Sequence, residues 1–157
     1  MDTHKLDTET AVYFYEQDFY VLSNFAAFTL RWKRHLFMTS EAAYHWEKFP
    51  HNRRLQEAIL WAPSAHEAFK VAEAHGCDRR PDWLDVRVSI MRDILWAKVQ
   101  QHAYVKRKLL ETGTRDLIED SWRDGFWGWG ADHQGENHLG QLWMAIRAAC
   151  LQETAQR

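Results

Sequence analysis

The nineteen residues from Trp122 to Gly140, WRDGFWGWGADHQGENHLG, constrain this chain more than any other stretch. They contain three tryptophans, five glycines, two aspartates, a glutamate, two histidines and an asparagine. Glycine adds no buried surface and weakens helices and strands, so this mixture predicts a loop. Glycine serves where backbone must come close to something, and tryptophan serves where a flat group must be held. An aspartate among tryptophans sits where its pKa can shift. The segment therefore predicts a binding or catalytic loop for a flat, polar ligand that carries phosphate.

The rest of the composition narrows the class. A chain of 157 residues can build one domain with a real core. A formal net charge of −2 argues against a general nucleic-acid binder, which would carry a basic excess, while leaving a local basic pocket open. The two cysteines, Cys77 and Cys150, are far apart and give neither a disulfide framework nor a zinc pattern. Residues 1–10 are polar and charged, unlike a signal peptide, and no apolar run has the length that spans a bilayer. The expectation is a soluble, cytoplasmic protein with no membrane contact, its oligomeric state left open. Nine tryptophans exceed what a core needs and point to stacking surfaces.

Hydrophobic spacing and cap residues divide the chain into elements. Residues 1–10 are expected to be a loose arm, 11–152 a single domain and 153–157 a tail. Val12 to Tyr15, Phe19 to Leu22 and Phe28 to Trp32 suit short strands, with a turn at Lys33 to His35. A helix begins at Thr39 or Ser40, either of which can cap free N–H groups, and stops before Pro50. Arg53 to Trp61 is a short helix. Ser64 with Glu67 forms a capping box for a helix that buries Ala65, Ala68, Phe69 and Ala72. The longest helix starts at Pro81 or Asp82, with Leu84, Val88, Met91, Leu95 and Lys98 on one stripe. Tyr104 to Thr112 is helical and Gly113 stops it, whereas Arg115 to Ser121 fits helix or strand. A last helix starts near Asn137 or His138. The fold class is α+β, predominantly helical, with a small antiparallel sheet near the N-terminus.

Five constellations could carry chemistry. Glu41, Tyr44, His45 and Lys48 recur at helical spacing, so a carboxylate and an amine share a face. Together they could orient water and bind phosphate, or attack a carbonyl-like carbon. The same spacing also describes a solvated ion-pair face. Asp124 beside Phe126, Trp127 and Trp129 is a candidate acid whose pKa rises unless something donates to it, or else a turn aspartate before Gly125. Gly135, Asn137 and Gly140 precede the last helix, where free N–H groups can hold an anion. Plain capping by Asn137 accounts for them equally well. Ser23, Asn24 and Phe25 follow a strand-like run, where Asn can read an amide or ribose edge and Phe can stack, or all three simply turn the chain. Lys98 on an apolar stripe, with Trp83 at that helix's start, could meet a phosphate or snorkel to solvent. Zinc-ligand spacing, the deaminase pattern, the GxSxG elbow and the Walker loop are absent, so neither a metal nor a cofactor is expected.

Taken in order, FYEQDFYVLSNF, FMTSEAAYHWEKF, DWLDVRVSIMRDILWAKVQQH, LLETGTRDLIEDSWRDGFWGWG and GENHLGQLWMAIR resemble the NADAR, or YbiA-like, family across about residues 12–148. That resemblance implies an N-glycosidase acting on ADP-ribose-like or ribosylamino substrates. These are either ribosylamino pyrimidine intermediates of riboflavin biosynthesis or ADP-ribosylated guanine in nucleic acid. The alternative is an ADP-ribose or nucleotide reader without turnover. Carried over, the family's TSE acid is Glu41, its helix-closing lysine Lys48, and its acid before WG is Asp124, followed by Trp127 and Gly128. The SNF motif is Ser23, Asn24 and Phe25. Trp83 precedes the long helix, and the glycine–asparagine element is Gly135 with Asn137.

The resemblance also implies roles. Glu41 would steady oxocarbenium charge or activate water, and Lys48 would attack C1 of a ring-opened sugar. Asp124 would position a ribose hydroxyl or exchange a proton. Trp83 and Trp127 would sandwich the base or ribose, with Asn24 and Asn137 orienting sugar and phosphate. The sequence departs from the family pattern where TSEHAYQAQKF reads TSEAAYHWEKF and where HLFM replaces a Gly–x–x–Trp–Pro run. These departures predict a pocket of altered specificity.

Overall fold

The computed structural model describes residues 7–15 and 17–157. The chain forms two compact units, one built from the segment ending at Ser23 together with Ala103–Arg157, the other from Asn24–His102. Among the described residues there are six α-helices and four strands, an α+β class with helix dominant. No helix there is long and apolar enough to cross a membrane.

In the first unit, β1 (Ala11–Phe14) pairs in parallel with β4 (Asp116–Glu119), Ala11 opposite Asp116 and Phe14 opposite Glu119. The ambiguous segment after Gly113 is thus a strand. The strand expected over Val12 to Tyr15 exists, but its partner lies a hundred residues away and runs in parallel. Only residues 1–6 of the expected arm lie outside the described residues. Residues 7–10 are tied down, since the Tyr13 N–H donates to Asp7 Oδ1 at 2.9 Å and the Ala11 N–H to Thr8 Oγ1 at 3.0 Å.

The strand expected at Phe19 to Leu22 is instead a 3₁₀ helix over Gln17–Leu22. Its Phe19 ring packs under Lys108 and Arg115, at 4.8 and 5.5 Å. Leu22 is buried, and its carbonyl accepts from Trp143 Nε1 at 2.9 Å. Helix α5 (Ala103–Glu111) stops before Gly113, whose φ of +66° suits glycine. The unit closes on α6 (His138–Ala155), which runs through the expected tail.

In the second unit, β2 (Leu30–Trp32) lies inside the strand expected over Phe28 to Trp32. It pairs antiparallel with β3 (His35–Phe37), an unexpected strand that begins at His35, a residue the sequence reading places in the turn. Lys33 and Arg34 make the turn with φ of 45° and 70°. A two-residue hairpin turn needs both residues in this region, which side chains resist. Glu47 compensates: buried beneath the hairpin, it accepts from Trp32 Nε1 at 2.7 Å and holds the Lys33 ammonium at 2.8 Å.

Helix α1 (Ser40–Trp46) starts where Thr39 Oγ1 accepts from the Ala42 N–H at 3.1 Å. Helix α2 (Arg53–Leu60) is capped by Asn52, and α3 (Ala65–Ala74) by Ser64, which accepts from the Glu67 N–H as the capping-box spacing predicts. Phe69, expected in the core, is partly exposed. Helix α4 (Trp83–Gln101) buries Trp83, Met91, Ile94, Leu95, Lys98 and Val99. Leu84, expected on that stripe, is exposed.

Candidate functional site

Helix α1 carries the group with the most chemistry. Thr39 caps it locally, and Asn24 anchors its first turn. The Glu41 N–H donates to the Asn24 carbonyl at 3.1 Å, and Ser40 Oγ donates to Asn24 Oδ1 at 3.0 Å. Asn24 Nδ2 lies 3.4 Å from Met91 Sδ on α4. One end of the Asn24 side chain therefore docks α1 and the other contacts α4. The expected reading of a ribose or amide edge gives way to that structural use. Ser23 is buried, whereas Phe25 is 43% exposed.

Glu41 sits in the first turn, where the helix dipole favours a carboxylate. Its side chain retains 12% exposure, and its Oε1 lies 2.7 Å from His45 Nε2 one turn on. Lys48 follows in the turn after α1, its N–H donating to the His45 carbonyl at 3.1 Å. The Lys48 ammonium lies 5.4 Å from the Tyr44 ring centre and 5.6 Å from that of Trp83, and those rings are 5.0 Å apart. Burial lowers the Lys48 pKa from its ordinary 10.5, which favours the free amine. Glu41 and then Glu73 oppose that shift by attraction, whereas Arg79 and Arg87 add to it.

Trp83 is only 2% exposed. Its role here is to wall Lys48, and it offers no open face for the base-stacking expected of it. Lys98 is corrected more fully. It neither snorkels nor reaches a surface where phosphate could meet it, because the whole residue is buried at 0% exposure with Nζ 5.6 Å from the Phe28 ring. Burial lowers its pKa to about 7.

The glycine–tryptophan loop belongs to the other unit and has its own logic. Asp124 Oδ1 accepts from the Phe126 and Trp127 N–H groups at 2.9 and 2.8 Å. It is the turn aspartate that the sequence also allowed. Trp127 is half-buried, edge-on to Phe126 and 6.3 Å from His138. Trp129 stacks on His133 at 3.8 Å and donates Nε1–H to Asp120.

The anion site expected at the start of α6 is closed. The N–H groups of Gly135, Glu136, Asn137, His138 and Leu139 donate to the carbonyls of Trp129, Gly125, Gly128, Phe126 and Trp127. Asn137 stands at φ 50° without a capping bond. Its side chain instead accepts from the Glu119 N–H and donates to the Leu117 carbonyl, both at 2.9 Å, as an added partner on β4. The glycines fit the same picture. A Cβ at Gly128 would meet the Glu119 carbonyl at 2.8 Å, and one at Gly135 would meet the Trp129 carbonyl at 2.7 Å. Backbone here approaches backbone, where the sequence suggested backbone approaching ligand.

Of the expected site residues, the structure gathers Asn24, Glu41, Lys48 and Trp83 around α1. It separately gathers Asp124, Trp127, Gly128, Gly135 and Asn137 in the loop. Sequence reasoning undervalued His45 and Tyr44, although the spacing of four from Glu41 to His45 was a usable signal. Among the described residues no three of His, Cys, Asp and Glu come together as a metal site.

An α+β fold that brings a carboxylate in the first turn of a helix and a desolvated amine in the turn after it into electrostatic reach supplies groups suited to acid–base or nucleophilic chemistry. The sequence pattern of the NADAR domain matches residues 13–150, and the chain belongs to that family. It is 38% identical over 149 residues to a riboflavin biosynthesis protein of Vibrio vulnificus, covering 94% of this chain but only 40% of that protein. It is 35% identical to an N-glycosidase of Nostoc punctiforme, covering 87% of this chain and 90% of the relative. The solution structure of Escherichia coli YbiA superimposes with a TM-score of 0.86 at 30% identity, over 96% of this chain and 90% of that one.

Proposed function

We propose that this protein is an N-glycosidase that hydrolyses a ribosyl C1–N bond, with ribosylamino pyrimidines as the first substrate class and ADP-ribosylated guanine in nucleic acid as the second. The observation that carries the reading is the partly exposed Glu41 carboxylate in the first turn of α1, with the desolvated Lys48 amine in the turn that follows the helix and within its electrostatic reach. The N-glycosidase names of the Nostoc and Escherichia coli relatives support the reaction class, and the name of the Vibrio relative supports the first substrate class.

As the C1–N bond breaks, positive charge develops on the sugar, and Glu41 stabilises it electrostatically. Glu41 also takes a proton from the water whose oxygen bonds to C1. The electron pair of the broken bond leaves on the base nitrogen, which takes up a proton. Burial favours the free amine of Lys48, which in the covalent variant adds to C1 of the ring-opened sugar. The C1–N bond to the base breaks as the base nitrogen takes up a proton and leaves, and water then hydrolyses the Lys48 Schiff base. The scheme is written without Asp124, whose Oδ1 accepts from the Phe126 and Trp127 N–H groups.

Wild type and Glu41→Gln are each given the ribosylamino pyrimidine and an ADP-ribosylated guanosine oligonucleotide, with products read by mass spectrometry. Release of ribose 5-phosphate or ADP-ribose by wild type, with turnover lost in Glu41→Gln and binding kept, is the expected result. Tight binding without release by wild type would establish a reader instead. Borohydride during turnover should trap an adduct on Lys48 if the covalent variant operates.

A further inference from the structure

We propose that His45 is a positioning residue for Glu41: it holds Oε1 by hydrogen bond and leaves Oε2 as the oxygen that faces the sugar and the attacking water. The inference rests on the glycosidase reading of Glu41, and nothing in the family match assigns this histidine a role.

His45 Nε2 is 2.7 Å from Glu41 Oε1. The imidazole cannot swing away. Its side chain is almost fully buried, wedged between Tyr44 and Phe69 with ring centres at 5.3 and 5.8 Å. Among the described residues Nδ1 has no hydrogen-bond partner. That orphan atom decides the proton's place. An imidazolium, or the tautomer protonated at Nδ1, would bury an N–H donor with no acceptor, and a buried unsatisfied donor is costly. The neutral ring protonated at Nε2 buries only a lone pair at Nδ1 and donates its single proton to Glu41.

The consequence is directional. A carboxylate in the first turn of a helix can rotate through several conformers. The hydrogen bond from His45, one turn on, selects among them by fixing Oε1. Oε1 is occupied. Oε2 is left to steady the sugar's charge and to receive the proton of the attacking water.

The test compares wild type, His45→Gln and His45→Phe, together with the imidazole nitrogen spectrum of labelled protein. Glutamine places an N–H donor where Nε2 stands, whereas phenylalanine keeps the packing and removes the donor. The expected result is near-wild-type kcat in His45→Gln. In His45→Phe, kcat should fall by about 10- to 100-fold, as misplacement of a reacting group by a fraction of an ångström to an ångström allows, with KM within about twofold on the same principle that only transition-state contacts are lost. The spectrum should show His45 protonated at Nε2, with a resonance that moves in Glu41→Gln. Unchanged kcat in His45→Phe, equal loss in both variants, or a ring protonated at Nδ1 would each overturn the proposal. Absence of turnover by wild type on both substrates would overturn the glycosidase reading. The nitrogen spectrum needs no substrate and would then decide the His45–Glu41 pairing alone.

Discussion

Lys98 should make the protein's stability depend on pH in a way that one substitution removes. The residue is completely buried in α4, and burial lowers its pKa from 10.5 to about 7. Each tenfold change in proton affinity is worth about 1.4 kcal/mol, so a charged Lys98 costs the folded state on the order of 5 kcal/mol by the same conversion. Below pH 7 that cost is present in full. Between about pH 7 and 10.5 the folded chain has released a proton that the unfolded chain still holds, so stability rises with pH across this window. Lys98→Met keeps most of the side-chain volume and removes the titration. Urea unfolding of both proteins at pH 6, 7.5 and 9.5 provides the assay, and taking their difference cancels every group they share. The variant should be more stable by several kcal/mol at pH 6, with the advantage shrinking by about 3 kcal/mol by pH 9.5 on the same conversion. Parallel pH–stability curves would refute the reasoning, as would a variant less stable than wild type at pH 6.

Three further outcomes test the loop and the site. Asn137→Ala removes two side-chain hydrogen bonds to β4 and puts alanine at φ 50°. It should cost about 2–4 kcal/mol by urea unfolding, and a loss under about 0.5 kcal/mol would show that the β4 contacts add nothing net. Gly135→Ala drives a Cβ into the Trp129 carbonyl at 2.7 Å and should cost about 1–3 kcal/mol or more. Gly76→Ala, with open space around its Cβ, should be neutral or slightly stabilising in the same assay. Glu41→Gln removes the attraction that holds the Lys48 pKa up, so in carbon-13 titrations of the lysine side chains Lys48 should titrate below 10.5 in wild type and lower still in the variant. An unmoved Lys48 titration would place the two groups too far apart to act together.

The parts legible in the sequence are those decided locally. Thr39 caps α1 and Ser64 caps α3 through side chains that reach amides three residues away. Glu41 and His45 share a face of α1 because helical spacing puts them there, and Lys48 follows in the turn after the helix. The 3₁₀ helix at Gln17–Leu22 was not legible, because an aromatic and β-branched run fits strand or tight helix equally well. Here the cations of Lys108 and Arg115 hold Phe19 from far along the chain. The parallel pairing of β1 with β4 is another long-range choice that alternation along one strand cannot reveal. In the loop, the glycines do show that something approaches the backbone. What approaches is the loop's own carbonyls, and that depends on how the first turn of α6 docks into it.

The two buried lysines show why a lowered lysine pKa alone does not mark a site. In both, the dominant cause is loss of water around the ammonium. At Lys98 burial is what lowers the proton affinity, and the side chain is fully enclosed, so a substrate has no way in. At Lys48 the same loss is countered by Glu41 and Glu73 and reinforced by Arg79 and Arg87, so its proton affinity is set by groups that a bound substrate could perturb. Its carboxylate neighbour Glu41 keeps some exposure and has a hydrogen bond that fixes one oxygen. A working amine needs both a lowered affinity for its proton and a reacting partner within reach of solvent, and only the α1 face supplies both. This is why the Lys98 and Lys48 experiments should separate cleanly, with substitution at 98 changing stability and its pH dependence, and substitution at 48 changing turnover.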